Sequence, residues 1–136
     1  MPNFILFDGS YYIFYRYYAI EQWFKLSKPD DPLQTLFVEK FRKTFVEKIG
    51  ETVKKLKIDT PIIMVGKDCH RKDIWRMELF PEYKGTRGKD GFKGGPFFKM
   101  AYEDKLFEEG GAKLILYYDT LEADDCIAIT VKHLLE

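Results

Sequence analysis

Cysteine is scarce in this chain, and net charge is absent. Cys69 and Cys126 are the only two cysteines among 136 residues, and 22 basic side chains balance 22 acidic ones. Two widely spaced cysteines form no metal-ligand pair and fit a reducing compartment. Zero net charge provides no global attraction to nucleic acid. These shortages exclude a disulfide scaffold and a cysteine-ligated metal site, and any nucleic-acid contact must come from local charge.

Long apolar runs are also missing. No window approaches the roughly 20 apolar residues of a membrane span. The amino terminus lacks the basic region and long apolar stretch of a signal peptide, since its first apolar run covers only Phe4 to Phe7. We therefore expect a soluble intracellular protein, cytoplasmic or viral, with no membrane contact and no obligate protein partner.

What the chain does have is apolar and aromatic material for one core. Hydrophobic residues make up 46% of the sequence and aromatic residues 17%, with nine Tyr and twelve Phe. This composition is typical of a folded chain and not of a disordered one. The length allows one domain at most.

Short apolar runs alternate with helical patterns along the sequence. The runs predict strands at about 4–7, 61–65 and 113–117. The patterns predict helices at about 11–26, 37–56, 73–79, 97–109 and from 122 to the end. Strands that alternate with helices imply an α/β fold with a parallel sheet and right-handed crossovers.

Local signals place two of the helix ends. Ser10 is the predicted amino-terminal cap of the first helix. Gly110 and Gly111 are the predicted stop of the helix at 97–109. The chain ends inside the last helical pattern, so we expect a fragment that is truncated after the third strand and its following helix.

Five acids follow the three predicted strands. Asp8 follows the first strand, Asp68 follows the second, and Glu122, Asp124 and Asp125 follow the third. In an open parallel sheet the carboxyl ends of the strands line one crevice, where ligands bind. Several carboxylates in one crevice repel each other unless a cation neutralises them, and oxygen-only sites suit Mg²⁺ or Mn²⁺. The pattern predicts metal-dependent phosphodiester chemistry.

A basic, glycine-rich segment lies between the second and third strands. Its basic residues are Lys84, Arg87, Lys89, Lys93 and Lys99, against the single acid Asp90. One interpretation is a solvated charged loop. The other is a nucleic-acid contact, in which Lys84 and Arg87 hold the scissile phosphate and Tyr83 stacks on a base.

Arg16 lies inside an aromatic run on the first predicted helix, between Tyr15 and Tyr17. A single arginine among rings has two interpretations. It forms an ion pair in the core, or it faces the crevice and holds a phosphate.

Taken together and in this order, three segments resemble the flap endonuclease / 5′–3′ exonuclease family. The first runs from Phe7-Asp8-Gly9-Ser10 to Arg16. The second runs from Asp68 through Trp75-Arg76 to the stretch Phe80-Pro81-Glu82-Tyr83-Lys84-Gly85-Thr86-Arg87. The third is Leu121-Glu122-Ala123-Asp124-Asp125. The family includes bacteriophage flap endonucleases and the 5′-nuclease domains of bacterial DNA polymerase I.

The resemblance implies a PIN-like three-layer fold, with a central parallel sheet between helices. Residues 1–136 would be the amino-terminal part of the nuclease domain, with a flexible basic arch-like segment at about 84–107. A single 5′ strand would pass through that arch. The implied activity is that of a divalent-metal-dependent 5′–3′ exonuclease or structure-specific 5′-flap endonuclease, which hydrolyses phosphodiester bonds with two metal ions and acts in DNA replication or repair.

The resemblance also assigns roles to individual residues. The implied metal ligands are Asp8, Asp68, Glu122, Asp124 and Asp125, for Mg²⁺ or Mn²⁺, with two ions in the complete domain. The implied catalytic phosphate contacts are Arg16, Lys84 and Arg87. The remaining DNA contacts would be Tyr83, Arg76, Lys89 and Lys93, with bracing of the loop as the alternative role for Arg76.

The implied substrate is DNA with a free 5′ end, or an RNA–DNA hybrid. Two other functions stay open at this point. One is a PIN-type ribonuclease with the same acidic crevice, and the other is a catalytically incomplete fragment that binds nucleic acid.

Overall fold

The computed structural model describes residues 2–27, 34–82 and 95–136. No helix in these ranges is both long enough and apolar enough to cross a bilayer.

Three parallel strands form the sheet, in the order β1-β2-β3. They are β1 (Phe4–Asp8), β2 (Ile62–Gly66) and β3 (Ala112–Leu116). Asp8 pairs with Gly66, which in turn pairs with Leu116, so the three strands end level with one another. The α/β fold with a parallel sheet is confirmed, and the carboxyl ends of the strands form one edge.

Six helices surround the sheet in the described ranges, together with a 3₁₀ turn at Arg71–Asp73. Between β1 and β2 lie α1 (Gly9–Ser27) and α2 (Gln34–Leu56). Between β2 and β3 lie α3 (Trp75–Leu79), α4 (Gly95–Glu103) and α5 (Leu106–Glu109), and α6 (Ala123–Leu135) follows β3.

The main core lies between one face of the sheet and helices α1, α2, α4 and α5. Its fully buried side chains include Ile13, Phe41, Phe45 and Phe107. Burying a side chain of this kind stabilises the fold by about 1.5–3 kcal/mol. The Tyr12 hydroxyl also donates to the carbonyl oxygen of Phe45 over 2.5 Å, which ties α1 to α2.

The opposite face of the sheet is covered by α6, which packs against all three strands. Strand residues alternate between the two faces. Ile63 and Val65 accordingly belong to the main core, while buried Met64 lies outside that cluster. The layers are therefore helices, sheet and helix, as the three-layer prediction requires.

Two local predictions were wrong. The helix predicted at 97–109 is divided into α4 and α5, because Lys105 has a left-handed backbone with φ of 55°. Ser10 does not cap α1, because the helix already begins at Gly9 and the Asp8 carboxylate accepts the Tyr11 N–H instead.

The part of the predicted arch-like segment that is described is helical and packed. Gly95–Glu103 forms α4, and Leu106 and Phe107 of α5 are fully buried. Residues 84–94 of that segment lie outside the described ranges.

Candidate active site

Three carboxylates meet at the edge where the strands end. Asp8 is the last residue of β1, Asp68 lies two residues beyond β2, and Asp124 lies in the first turn of α6. The parallel strands and the position of α6 bring together residues that are up to 116 positions apart in the sequence. We call Asp8, Asp68 and Asp124 the acid trio.

The surroundings of Asp8 disfavour the charged form of its carboxyl. Burial raises the pKa of the Asp8 carboxyl above its usual range, and a hydrogen bond with the Asp124 carboxyl raises it further. The charges of Asp68 and Asp124 act in the same direction, whereas the hydrogen bond from the Tyr11 N–H opposes them. That bond measures 3.1 Å and caps α1.

Asp68 connects two helices. Its Oδ1 accepts the Ala123 N–H at the start of α6 over 2.6 Å, and its Oδ2 accepts the Ser10 hydroxyl at the start of α1. An anion is favoured at a helix amino terminus, where backbone N–H groups lack partners. Asp68 therefore has a structural role in addition to any role as a ligand.

The acid trio fits a hard divalent cation by the chemistry of its donors. All its donor atoms are carboxylate oxygens, the ligands that Mg²⁺ and Mn²⁺ prefer. Burial and the neighbouring carboxyls of Asp124 and Asp68 raise the pKa of Asp8, and a bound cation would favour the ionised form of such a group. In the described ranges no salt bridge joins the trio to a lysine or arginine. The fit is one of donor chemistry alone, because no three His, Cys, Asp or Glu side chains in the described ranges are grouped closely enough to hold a metal ion as they are placed.

The two other predicted ligands have a different partner. Arg76 Nη1 lies 2.8 Å from Glu122 Oε1, and Arg76 Nη2 lies 2.7 Å from Asp125 Oδ1. Arg76 Nη1 also donates to Asp125 Oδ2 over 2.8 Å, so Asp125 is held at both oxygens. The Trp75 indole N–H donates to the same carboxylate over 3.2 Å. We call Arg76, Glu122 and Asp125 the arginine clamp.

The arginine clamp also closes the start of α6. Glu122 and Asp125 form a reciprocal capping box, in which Asp125 Oδ2 accepts the Glu122 N–H over 3.1 Å. The hydrogen bonds from Arg76, more than any other contact, lower the pKa of Asp125. The guanidinium in addition lies over the Trp75 ring, 4.6 Å from its centre. Of the two roles considered for Arg76, bracing is the one its contacts display.

Arg16 lies in a groove next to Asp8. Only 9% of its surface is exposed, and its Nε is buried without a hydrogen-bond partner. Its guanidinium carbon lies 4.7 Å from the centre of the Tyr15 ring. The groove, of about 780 Å³, is also lined by Asp8, Lys54 and Lys55. The described ranges show no salt bridge for Arg16, although Glu51 lines the same groove and the charge of Arg16 contributes to lowering the pKa of Glu51, so both interpretations of Arg16 stay open.

Tyr102 and Lys67 were not identified from the sequence. The Tyr102 hydroxyl is buried without a hydrogen-bond partner and packs against Gly9. The Lys67 ammonium lies between two rings, 4.7 Å from the centre of Tyr102 and 5.2 Å from that of Tyr117. No spacing in the sequence distinguishes Tyr102 from the other rings of its helical pattern, so only the fold could reveal it.

The predicted contacts in the basic segment, Tyr83, Lys84, Arg87, Lys89 and Lys93, lie outside the described residues. Their roles stay predictions.

Comparison with known families gave one match over nearly the whole chain. Residues 3–136 match the family model described as the 5′–3′ exonuclease, N-terminal resolvase-like domain. The searches of curated proteins and of solved structures found no match.

Proposed function

The chain belongs to the family of 5′–3′ exonuclease N-terminal, resolvase-like domains, and we propose that it is a divalent-metal-dependent 5′–3′ exonuclease and 5′-flap endonuclease. Family membership supports nuclease function on a nucleic-acid substrate in general, and together with the parallel sheet it confirms the PIN-like fold. Dependence on a metal, action on DNA with a free 5′ end and preference for a flap are our proposals.

One observation carries the proposal. Asp8, Asp68 and Asp124 lie at the same edge of the sheet, and burial and the neighbouring carboxyls raise the pKa of Asp8. Neighbouring carboxylates repel each other, which disfavours their ionised forms. Perturbed pKa values of this kind are often found at functional sites. Neutralisation by a divalent cation would remove the repulsion.

The acid trio would hold the ion. Asp8 and Asp124 interact electrostatically and are the proposed direct ligands. Asp68 accepts hydrogen bonds from Ser10 and Ala123 and is the proposed ligand through water. Bound Mg²⁺ or Mn²⁺ would polarise a phosphoryl oxygen and lower the pKa of a water molecule for attack on phosphorus. The two-ion form of the proposal needs Glu122 or Asp125 as well, and Arg76 holds both of these.

The proposed phosphate contacts are Arg16, Lys84 and Arg87. A positive charge beside the phosphoryl group stabilises the negative charge that builds there during attack. The buried, unpartnered Nε of Arg16 in the groove next to Asp8 supports its role as a donor to phosphate. For the basic segment, the proposed DNA contacts are Tyr83, Lys89 and Lys93.

A second function is a module that binds nucleic acid without cutting it. The specific observation in its favour is that protein donors engage four of the five predicted ligands, since Asp8 accepts the Tyr11 N–H. Asp68 bonds to Ser10 and Ala123, and Glu122 and Asp125 bond to Arg76.

One experiment separates these functions. The chain is incubated with Mn²⁺ and, in parallel, a 5′-flap DNA, a single-stranded RNA and a blunt duplex. Flap-selective cleavage that disappears in Asp124→Asn, and persists in the control Asp119→Asn at an exposed acid nearby, supports the proposal. Cleavage of RNA alone supports a ribonuclease, and binding without cleavage supports the second function.

A further inference from the structure

The Tyr102 hydroxyl occupies an unusual place for a polar atom. It reaches from α4 to the ends of β1 and β2, where it packs against Gly9. A Cβ at position 9 would collide with this hydroxyl and would come within 2.7 Å of the Gly66 carbonyl oxygen. The glycine after Asp8 is therefore required by the close approach of the Tyr102 hydroxyl and of the Gly66 carbonyl oxygen in β2.

The hydroxyl has no partner, although the acid trio lies next to it. A buried polar atom without a hydrogen bond costs about 1–3 kcal/mol, so such an atom at a strand end needs an explanation. Burial raises the pKa of the Tyr102 phenol, and the charges of Asp68 and then Asp8 raise it further. A tyrosine phenol is protonated at neutral pH, so this hydroxyl is a hydrogen-bond donor on the side of the site where the nearby groups are acceptors.

The ring of Tyr102 is fixed independently of its hydroxyl. It packs on Phe107 with ring centres 5.6 Å apart, and Lys67 Nζ lies 4.7 Å from its centre. Removing the hydroxyl alone would leave both contacts in place. The hydroxyl can accordingly be tested without disturbing the packing of α4.

We propose that Tyr102 is a positioning residue of the candidate active site, whose hydroxyl donates to an outer oxygen of the acid trio, or to a water bound there, when a divalent cation is present. Carboxylates that bind a metal are themselves held by hydrogen bonds from a surrounding layer of donors. In the described residues Asp68 receives such bonds from Ser10 and Ala123, and Asp8 from the Tyr11 N–H. Tyr102 adds a donor from α4, the helix that follows the basic segment in the sequence.

This inference rests on the proposed function, and its test measures binding of the cation instead of cleavage. The full chain is titrated with Mn²⁺, and the free ion is followed by its electron paramagnetic resonance signal. Tyr102→Phe should weaken Mn²⁺ binding by about tenfold, the lower end of the effect of removing an outer donor. The midpoint of urea unfolding in the presence of a chelator should rise and not fall, because no hydrogen bond is lost and a buried hydroxyl without a partner is removed.

Tyr12→Phe is the matched control. Tyr12 is also a buried tyrosine, but its hydroxyl has a partner, the carbonyl oxygen of Phe45. This variant should show a lower unfolding midpoint and unchanged Mn²⁺ affinity, which is the reverse of the result for Tyr102→Phe.

The outcomes keep the inference apart from the proposed function. If the unmodified chain binds Mn²⁺ and Tyr102→Phe binds it equally well, the hydroxyl only fills space and the inference fails alone. A lower unfolding midpoint in Tyr102→Phe, with unchanged affinity, would also assign it a purely structural role. If the unmodified chain does not bind Mn²⁺, the proposed metal dependence fails, and this inference fails with it.

Discussion

Glu122, Asp124 and Asp125 are near neighbours in the chain, yet their carboxylates have opposite electrostatic surroundings. Glu122 and Asp125 are paired with Arg76 in the arginine clamp, and the pKa of Asp125 is lowered by it. Asp124 instead belongs to the acid trio, where it helps to raise the pKa of Asp8. The first group is paired with an arginine, whereas no salt bridge in the described residues joins the second to a basic side chain.

Helix geometry explains how adjacent residues separate in this way. Residues three apart lie on the same side of a helix, so Glu122 and Asp125 can face one arginine together. Asp124 points elsewhere, toward the end of β1. The acids at the start of α6 therefore belong to two different groups. Glu122 and Asp125 fix the helix through the clamp, and Asp124 belongs to the trio that is available for chemistry.

The largest effect should come from removing the charge of Asp124. If Asp124 is a direct metal ligand, Asp124→Asn should lower the rate of flap cleavage with Mn²⁺ by more than about 100-fold. Loss of a residue that only hydrogen-bonds to a metal ligand already lowers activity by about 10–100-fold. Asp125→Asn should lower the rate much less. Single-turnover cleavage of a labelled flap DNA measures both, and equal losses in the two variants would contradict the distinction between the groups.

The second effect is on stability and concerns the arginine clamp. Arg76→Ala should lower the free energy of unfolding by about 2 kcal/mol, because it leaves Glu122 buried without its cation. The loss stays below that of a fully buried pair since 31% of the Arg76 side chain is exposed. Urea unfolding measures it, with Lys72→Ala, at a nearby exposed basic residue, as the control. A change equal to that of the control would show that the clamp does not stabilise α6.

Much of this arrangement could be predicted from the sequence. The positions of Asp8, Asp68 and the acids of α6 after three apolar runs predict one crevice, because parallel strands end at a common edge. The division of the acids could not be predicted, since it depends on where Arg76 points across 46 to 49 positions of sequence. The role of Ser10 was also missed, because a serine after a strand has the same local pattern whether it caps a helix or bonds to a distant carboxylate.

Ser10 gives the third effect. Its hydroxyl donates to Asp68, whose other oxygen accepts the Ala123 N–H, so it helps to hold α1 and α6 together. Ser10→Ala should lower the free energy of unfolding by about 1 kcal/mol, the usual net value of one hydrogen bond. Ser10→Thr, which keeps the hydroxyl, is the matched control. Urea unfolding in a chelator measures both variants. If Ser10→Thr lowers the free energy of unfolding by the same amount, the effect comes from side-chain packing at position 10 and not from the hydrogen bond.

The smallest effect should also change sign with the metal. Asp8→Asn removes one charge from the acid trio and keeps a side-chain oxygen that can cap α1. In a chelator this variant should be more stable than the unmodified protein by about 0.5 kcal/mol, the scale of a weakly screened charge pair. In excess Mn²⁺ the order should reverse, because a ligand that binds only the folded state stabilises it in proportion to its affinity. Thermal unfolding under both conditions measures the difference. If Asp8→Asn is no more stable than the unmodified protein in the chelator, the carboxylates of the trio do not repel each other enough to require a cation. The electrostatic contrast between the trio and the arginine clamp would then be wrong.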